Sequence, residues 1–201
     1  NTGGMGTIAP NPYYTDAIAK ECMETIFLPT MNAMNAEGRT FKGCLYFGLM
    51  LTPNGPKVIE YNCRFGDPET QVVLPLLESD LLTVMQAVAA GKLHETEVKW
   101  KDASACCVVM ASKGYPGKYE SGCPLTLPEE DADGFIYVAG AKKEGEGLVS
   151  AGGRVLGVTD VAYDLKSAIC GAYKKVEAIK FDNAFYRKDI GQRALKATEE
   201  K

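Results

Sequence analysis

Apolar residues first recur at helical spacing at Ile18, Cys22 and Ile26, which predicts a helix from about Asp16 with Thr15 as its N-cap. Pro29 is expected to interrupt that helix, because proline removes a backbone donor and crowds the preceding turn. A second short piece should then run to Glu37-Gly38. Gly43 to Leu51 is an apolar run with Tyr, Phe and Cys and reads as a buried strand. Pro53-Asn54-Gly55-Pro56 turns the chain, and Lys57 to Asn62 returns as a second strand. Asp80 caps a further helix with Leu81, Val84, Met85 and Val88 at i, i+3, i+4 and i+7, closed by Gly91.

Lys92 to Asp102 is polar and lacks strong periodicity, so the domain boundary is placed there, dividing the chain into about 1–98 and 99–201. Beyond it, strands are predicted at Ser104 to Ala111, Phe135 to Ala139, Leu148 to Ala151 and Arg154 to Thr159. Glycine-rich turns separate them, which suits an antiparallel sheet. A helix from Asp164 to about Ile179 carries Leu165, Ile169, Ala172, Tyr173 and Val176 on one face. The fold class is α+β.

Composition narrows the function classes. At 46% hydrophobic and 24% charged, the 201 residues have ample material for a packed core. The net charge of −4 argues against a nucleic-acid or anionic-membrane surface, and no apolar run approaches the length of a membrane span. The seven cysteines are an odd number without framework spacing, and Cys44, Cys106, Cys107 and Cys170 lie in apolar runs. No Cys/His zinc spacing occurs, and His94 is the only histidine. A reducing cytoplasm is the expected compartment. Asn1-Thr2-Gly3-Gly4-Met5-Gly6 is not a signal peptide and reads as the inside of a glycine-rich loop, so a longer protein is expected.

The segment richest in chemistry is Glu60-Tyr61-Asn62-Cys63-Arg64-Phe65-Gly66-Asp67-Pro68-Glu69. On a strand Glu60, Asn62 and Arg64 share a face, with Ile59 and Tyr61 pointing the other way into packing. Oxygen ligands from Glu and Asn suit Mg²⁺, which completes its shell with phosphates and water. An adjacent Arg matches phosphate oxygens and offsets charge that develops in phosphoryl transfer. A half-exposed strand with a solvated polar face explains the same spacing. The glycine-rich start could present backbone N–H groups to an anion, or be a tight turn with no ligand; no Gly-Lys-Ser/Thr follows, so it is not a P-loop. Gly152-Gly153-Arg154 and Tyr186-Arg187-Lys188-Asp189-Ile190-Gly191 carry weaker signals, and an Arg-Lys pair is most simply solvated surface.

The strings NTGGMG, LYFGLMLTPNGPKVIEYNCRFGDPETQVVLPLLESDL, VVMASKGYPG, GGRVLGVT and YRKDIGQRA, taken in order, resemble the signatures of the phosphoribosylamine–glycine ligase family of the ATP-grasp superfamily. The resemblance implies the C-terminal part of an ATP-grasp core, an antiparallel sheet with helices, followed by a small α+β C-terminal domain. It also implies a reaction of purine biosynthesis: ATP phosphorylates glycine, and 5-phosphoribosylamine attacks the glycyl phosphate to give glycinamide ribonucleotide, ADP and phosphate. By position in the motif, Glu60 and Asn62 are implied metal ligands for Mg²⁺ or Mn²⁺, and Arg64 the catalytic arginine near the transferring phosphate. Gly3, Gly4 and Met5 match the loop near glycine, and Asp67, Pro68 and Glu69 shape the same pocket. Arg187 and Lys188 are candidates for the ribosyl phosphate.

The chain also departs from the pattern. Many ATP-grasp enzymes place a second acidic metal ligand on the preceding strand, and Cys44 to Leu51 contains none. Val138 and Ala141 stand where the family often has His and Thr around its Ala-Gly pair. The resemblance further implies an N-terminal half that holds the adenine-clasping lobe and the phosphate-gripping lysines, so the 201 residues alone are expected to be inactive. Two rivals stay open: a noncatalytic nucleotide- or partner-binding module, and another ATP-grasp carboxylate–amine ligase.

Overall fold

The computed structural model describes residues 3–128 and 134–199; Asn1 and Thr2 of the glycine-rich start lie outside them. In chain order the elements are β1 (Gly6–Ala9), α1 (Asp16–Cys22), α2 (Leu28–Ala36), β2 (Tyr46–Thr52), β3 (Gly55–Asn62), α3 (Thr70–Val73) and α4 (Leu81–Ala90). They continue with β4 (Ser104–Ser112), β5 (Pro124–Leu125), β6 (Gly134–Val138), β7 (Ala141–Glu144), β8 (Gly147–Ser150), β9 (Arg154–Ala162), α5 (Leu165–Ala178), β10 (Ala184–Phe185) and α6 (Gln192–Glu199). Two compact units form: Asn1–Asn11 with Asp67–Leu76 and Lys101–Lys201, and Pro12–Gly66 with Leu77–Trp100. No helix among the described residues is long and apolar enough to cross a membrane.

The larger unit is built on β4, whose nine residues are all buried. A strand buried on both faces must find backbone partners on both edges. It does: β9 pairs antiparallel along one edge, and β1 and β10 share the other. β6 then pairs with β9, giving the order β1-β4-β9-β6. Alternation sends Cys106, Val108 and Met110 to one face, where they pack with Leu165, Ala168, Ile169, Ala172 and Val176 of α5. Ala105 and Cys107 face the other way, toward Val72 of α3 and Leu76. Burial pushes the Cys106 thiol up to about 12 and the Cys107 thiol to about 11, so both stay protonated and act as small apolar fillers. Cys170, by contrast, is exposed on α5. The predicted strand at Leu148 is present, but it joins a separate sheet of order β5-β8-β7. Buried Asp160 and half-buried Lys175 form an ion pair, and both Gly171 and Gly134 make room for it, since a Cβ at either would overlap one of the two side chains.

In the smaller unit, Thr15 caps α1 as predicted, its hydroxyl accepting from Ile18 N at 3.4 Å. Pro29 does not break the helix. The turn from Met23 to Phe27 widens to a π-helix, with Leu28 N bonding to Met23 O, and Pro29 falls in the first turn of α2. There its missing N–H costs little. β2 and β3 pair antiparallel through a tight turn at Gly55, but β2 is not buried: Met50 is 53% exposed and Leu51 38%. α4 has its Asp80 N-cap and its left-handed Gly91 C-cap, yet none of its residues is buried.

Burial therefore separates two substitutions of one type. Leu156→Ala in β9, where Leu156 is 1% exposed, should cost about 2–5 kcal/mol in urea denaturation. Leu82→Ala in α4, 62% exposed, should stay within about 0.5 kcal/mol.

The helix caps set a pH dependence. Hydrogen bonds from Thr83 N to Asp80 and from Ser167 N to Asp164 hold both carboxyls below their ordinary values. A lowered folded value stabilises above the unfolded value and is lost as pH falls through the folded one, here below about pH 4. Replacing both residues by Asn, which caps equally well but does not titrate, should leave the melting temperature at pH 7 nearly unchanged and make its fall toward pH 2 shallower.

Candidate functional site

β3 carries the motif strand, and its register sets the polar row. Glu60 lies opposite Gly48 of β2, and Asn62 opposite Tyr46. A Cβ at Gly48 would stand 2.8 Å from Glu60 Cγ, so this glycine gives the Glu60 side chain room to lie across the partner strand. The three predicted side chains are brought together. Asn62 Nδ2 donates to Glu60 Oε1 at 3.1 Å, and Arg64 Nη2 donates to Asn62 Oδ1 at 3.2 Å. Arg64 Nη1 also donates to the Phe65 carbonyl at 3.0 Å. On the opposite face Tyr61 packs edge-on against Phe47 with centroids 5.3 Å apart, and Phe47 meets Phe27 at 4.5 Å. The packing expected on that face is only partial, because Ile59 is 62% exposed and Tyr61 52%.

The oxygen-rich head of this row fits a small divalent cation. A carboxylate and an amide carbonyl are ligand types such a cation accepts, although in the present rotamer it is Asn62 Nδ2, not Oδ1, that lies beside Glu60 Oε1. Glycine, not a carboxylate, faces Glu60 across the ladder. No group of three His, Cys, Asp or Glu side chains able to hold a metal occurs among the described residues. A cation here would take two protein side chains and fill its remaining positions with phosphate oxygens and water.

The larger unit assembles a second cluster. Arg154, first residue of β9, donates from Nη1 to the Gly4 carbonyl at 3.2 Å and to the Asp67 carbonyl at 2.9 Å. Its Nη2 donates to Asp67 Oδ2 at 3.0 Å. The other Asp67 oxygen accepts from Gln71 Nε2 at 2.8 Å, so each carboxylate oxygen has its own donor. One guanidinium thus ties the glycine loop to the Asp67-Pro68 turn across 150 and 87 positions of sequence. Gly4 has φ +74°, and a Cβ there would overlap the Arg154 head, so both backbone conformation and space demand glycine. Met5 is buried against Val109, Ala111 and Tyr115, and its carbonyl accepts from Val109 N at 3.1 Å. A Cβ at Gly3 would meet nothing within 4 Å among the described residues beyond its chain neighbours. Pro68 is fully buried, and the Glu69 carbonyl accepts from Val72 and Val73 at the start of α3. Sequence reasoning gave Arg154 only a weak signal and no role. Its only local signal is the Gly152-Gly153-Arg154 turn, and its partners are distant in sequence.

Arg187 and Lys188 are held differently. Arg187 donates from Nε and Nη2 to both oxygens of Asp189, at 2.8 and 2.6 Å. That pairing raises the Arg187 pKa and lowers that of Asp189. The Tyr173 hydroxyl donates to the Arg187 carbonyl at 2.7 Å and accepts from Ile190 N at 3.0 Å, pinning the segment to α5. Lys188 is exposed and makes no hydrogen bond or ion pair among the described residues.

Comparison with known proteins finds matches in both sequence and fold. The model of the phosphoribosylglycinamide synthetase ATP-grasp (A) domain matches residues 1–70, and that of the C domain of the same synthetase matches residues 105–193. The phosphoribosylamine–glycine ligase of Caldanaerobacter subterraneus subsp. tengcongensis is 47% identical over 190 residues, covering 94% of this chain and 46% of the relative. The crystal structure of phosphoribosylamine–glycine ligase from Thermotoga maritima superimposes with a TM-score of 0.83 at 36% identity, over 94% of this chain and 47% of that one. The biotin carboxylase domain of Hydrogenobacter thermophilus 2-oxoglutarate carboxylase, solved with MgADP, shares the fold at TM-score 0.64 and 12% identity, over 92% of this chain and 43% of that one. The chain spans about half the length of the relatives it matches. With the motif strand, the glycine loop and the C-terminal sheet all falling inside these matches, the chain belongs to the phosphoribosylglycinamide synthetase family, as a part comprising A-domain and C-domain sequence.

Proposed function

We propose that this chain is part of a cytoplasmic, ATP-dependent ligase that joins glycine to 5-phosphoribosylamine through a glycyl phosphate, giving glycinamide ribonucleotide, ADP and phosphate. The observation that carries the reading is the row of Glu60, Asn62 and Arg64, hydrogen-bonded to one another along the motif strand, in a member of a family whose relatives bear that ligase name. Residues 1–98 are assigned to the ATP-grasp part and 99–201 to the C-terminal domain. Mg²⁺, or Mn²⁺ with its similar preference for oxygen, would be held by Glu60 and Asn62 and would neutralise charge on the phosphates of ATP. Arg64 stabilises charge on the oxygens of the transferring phosphoryl group, since a guanidinium presents donors to them in fixed geometry. Gly3, Gly4 and Met5, with Asp67, Pro68 and Glu69, form the wall that receives glycine, and Arg154 fixes part of that wall by its bonds to Gly4 and Asp67. Gripping ATP from both sides needs further groups, which the rest of a full-length ligase would supply.

In the complete ligase carrying this sequence, Glu60→Gln should raise the Mg²⁺ concentration needed for half-maximal rate. Arg64→Ala should lower kcat by on the order of 10²–10³ with a smaller effect on KM, the usual scale for one charge-stabilising donor. Glycine-dependent ADP formation across a magnesium titration checks both. A rate indifferent to both substitutions would remove these residues from the chemistry.

Arg187 and Lys188 are proposed to hold the ribosyl phosphate. Asp189 takes the Nε and Nη2 edge of Arg187 and leaves Nη1 and the Lys188 ammonium for the anion. Arg187→Ala should then raise KM for phosphoribosylamine about tenfold, the worth of one charged hydrogen bond, with KM for ATP and glycine nearly unchanged. Equal losses for all three substrates, tracking a fall in melting temperature, would make the Arg187–Asp189 pair structural.

A further inference from the structure

Asn62 stands between a group that only accepts hydrogen bonds and one that only donates them. Its amide satisfies both in a single orientation: Nδ2 toward the Glu60 carboxylate at 3.1 Å, and Oδ1 toward the Arg64 guanidinium at 3.2 Å. That orientation presents nitrogen, an amide donor and no ligand, where a cation shared with Glu60 needs oxygen. To ligate, the amide must turn over. The turn sets Nδ2 against Arg64, donor facing donor, and the guanidinium loses this acceptor. Among the described residues only the Phe65 carbonyl then still holds it, from Nη1. The rotation is about a terminal torsion with a broad, two-fold profile, so the two exposed hydrogen bonds are what resist it.

We propose that Asn62 positions Arg64 as well as ligating the cation: when its oxygen turns to the cation, the guanidinium is released to meet an anionic oxygen. The inference rests on the cation reading given above and adds an order to it. Without the cation, Arg64 is kept on Asn62 and is a poor anion receptor. With it, one amide rotation both completes the cation's protein ligands and frees the arginine. By linkage, an anion drawn to Arg64 must strengthen cation binding through the same amide. The device needs an amide, since a carboxylate at position 62 would accept from Arg64 and ligate the cation at once, uncoupling the two.

The test uses the complete ligase carrying this sequence, ¹⁵N-labelled, titrated with MgCl₂ alone. The Asn62 Nδ2 and Arg64 Nε signals are followed by NMR, and arginine reactivity by phenylglyoxal labelling with mass spectrometry. Both signals should move on one saturation curve, and the Arg64 labelling rate should rise about fivefold, the low end of ordinary coupling between two sites. Arg154 and Arg187, tied to Asp67 and Asp189, serve as unresponsive controls. In Asn62→Asp, Mg²⁺ should still shift the backbone amides of Glu60 and Cys63 while Arg64 labelling stays flat. If Asn62 saturates in the wild type without any Arg64 response, or Asn62→Asp keeps the full Arg64 response, Asn62 does not position Arg64 and the cation reading stands. If Mg²⁺ moves neither Glu60 nor Asn62, both readings fall.

Discussion

A strand with no residue at the surface cannot leave a backbone group unpaired, and β4 is such a strand from Ser104 to Ser112. Everything placed in the larger unit follows from how that requirement is met. One edge is closed by β9. The other is shared between β1, from near the start of the chain, and β10, from near its end. Its two faces are covered by α5 and by the short α3 segment that follows the Asp67-Pro68 turn. Pairing β1 and β9 to the two edges of one strand brings Gly4 and Arg154 within reach of each other, although 150 positions separate them.

The functional consequence is a division of labour between rigid and exposed parts. The glycine loop is anchored by buried Met5 and by the Arg154 bond to Gly4, and the Asp67 turn is held by buried Pro68, by Arg154 and by Gln71. Both segments are therefore held by several independent contacts. Glu60, Asn62 and Arg64 sit instead on a two-stranded ribbon with much of its surface in solvent, and they bond chiefly to one another.

Much of this was legible in the residues. The caps at Thr15, Asp80 and Asp164 and the left-handed Gly91 come from local chemistry, in which a short side chain or a glycine satisfies its own helix end. The common face of Glu60, Asn62 and Arg64 follows from the two-residue period of a strand. The β4 and β9 strands are apolar enough to announce themselves. Pro29 was misleading because a proline is compatible with a continuing helix when the preceding turn opens to a π-bulge, and propensity alone does not contain that option. The apolar run at β2 and the apolar stripe of α4 indicate faces suited to burial, but whether a face is covered depends on what packs against it.

What the sequence determined by itself is therefore the set of elements, their ends, and the alternation that puts a carboxylate, an amide and a guanidinium in one row, because each depends on neighbours within a few residues. Only the tertiary structure decided that Arg154 braces the glycine loop, that Gly48 makes way for Glu60, and that Asp189 occupies one edge of Arg187. It also decided which way the Asn62 amide points, since that depends on both of its neighbours' heads reaching it at once. These are matters of distance between side chains, and of the space a missing Cβ leaves; a strand or helix pattern carries the direction of a residue but not what stands in front of it.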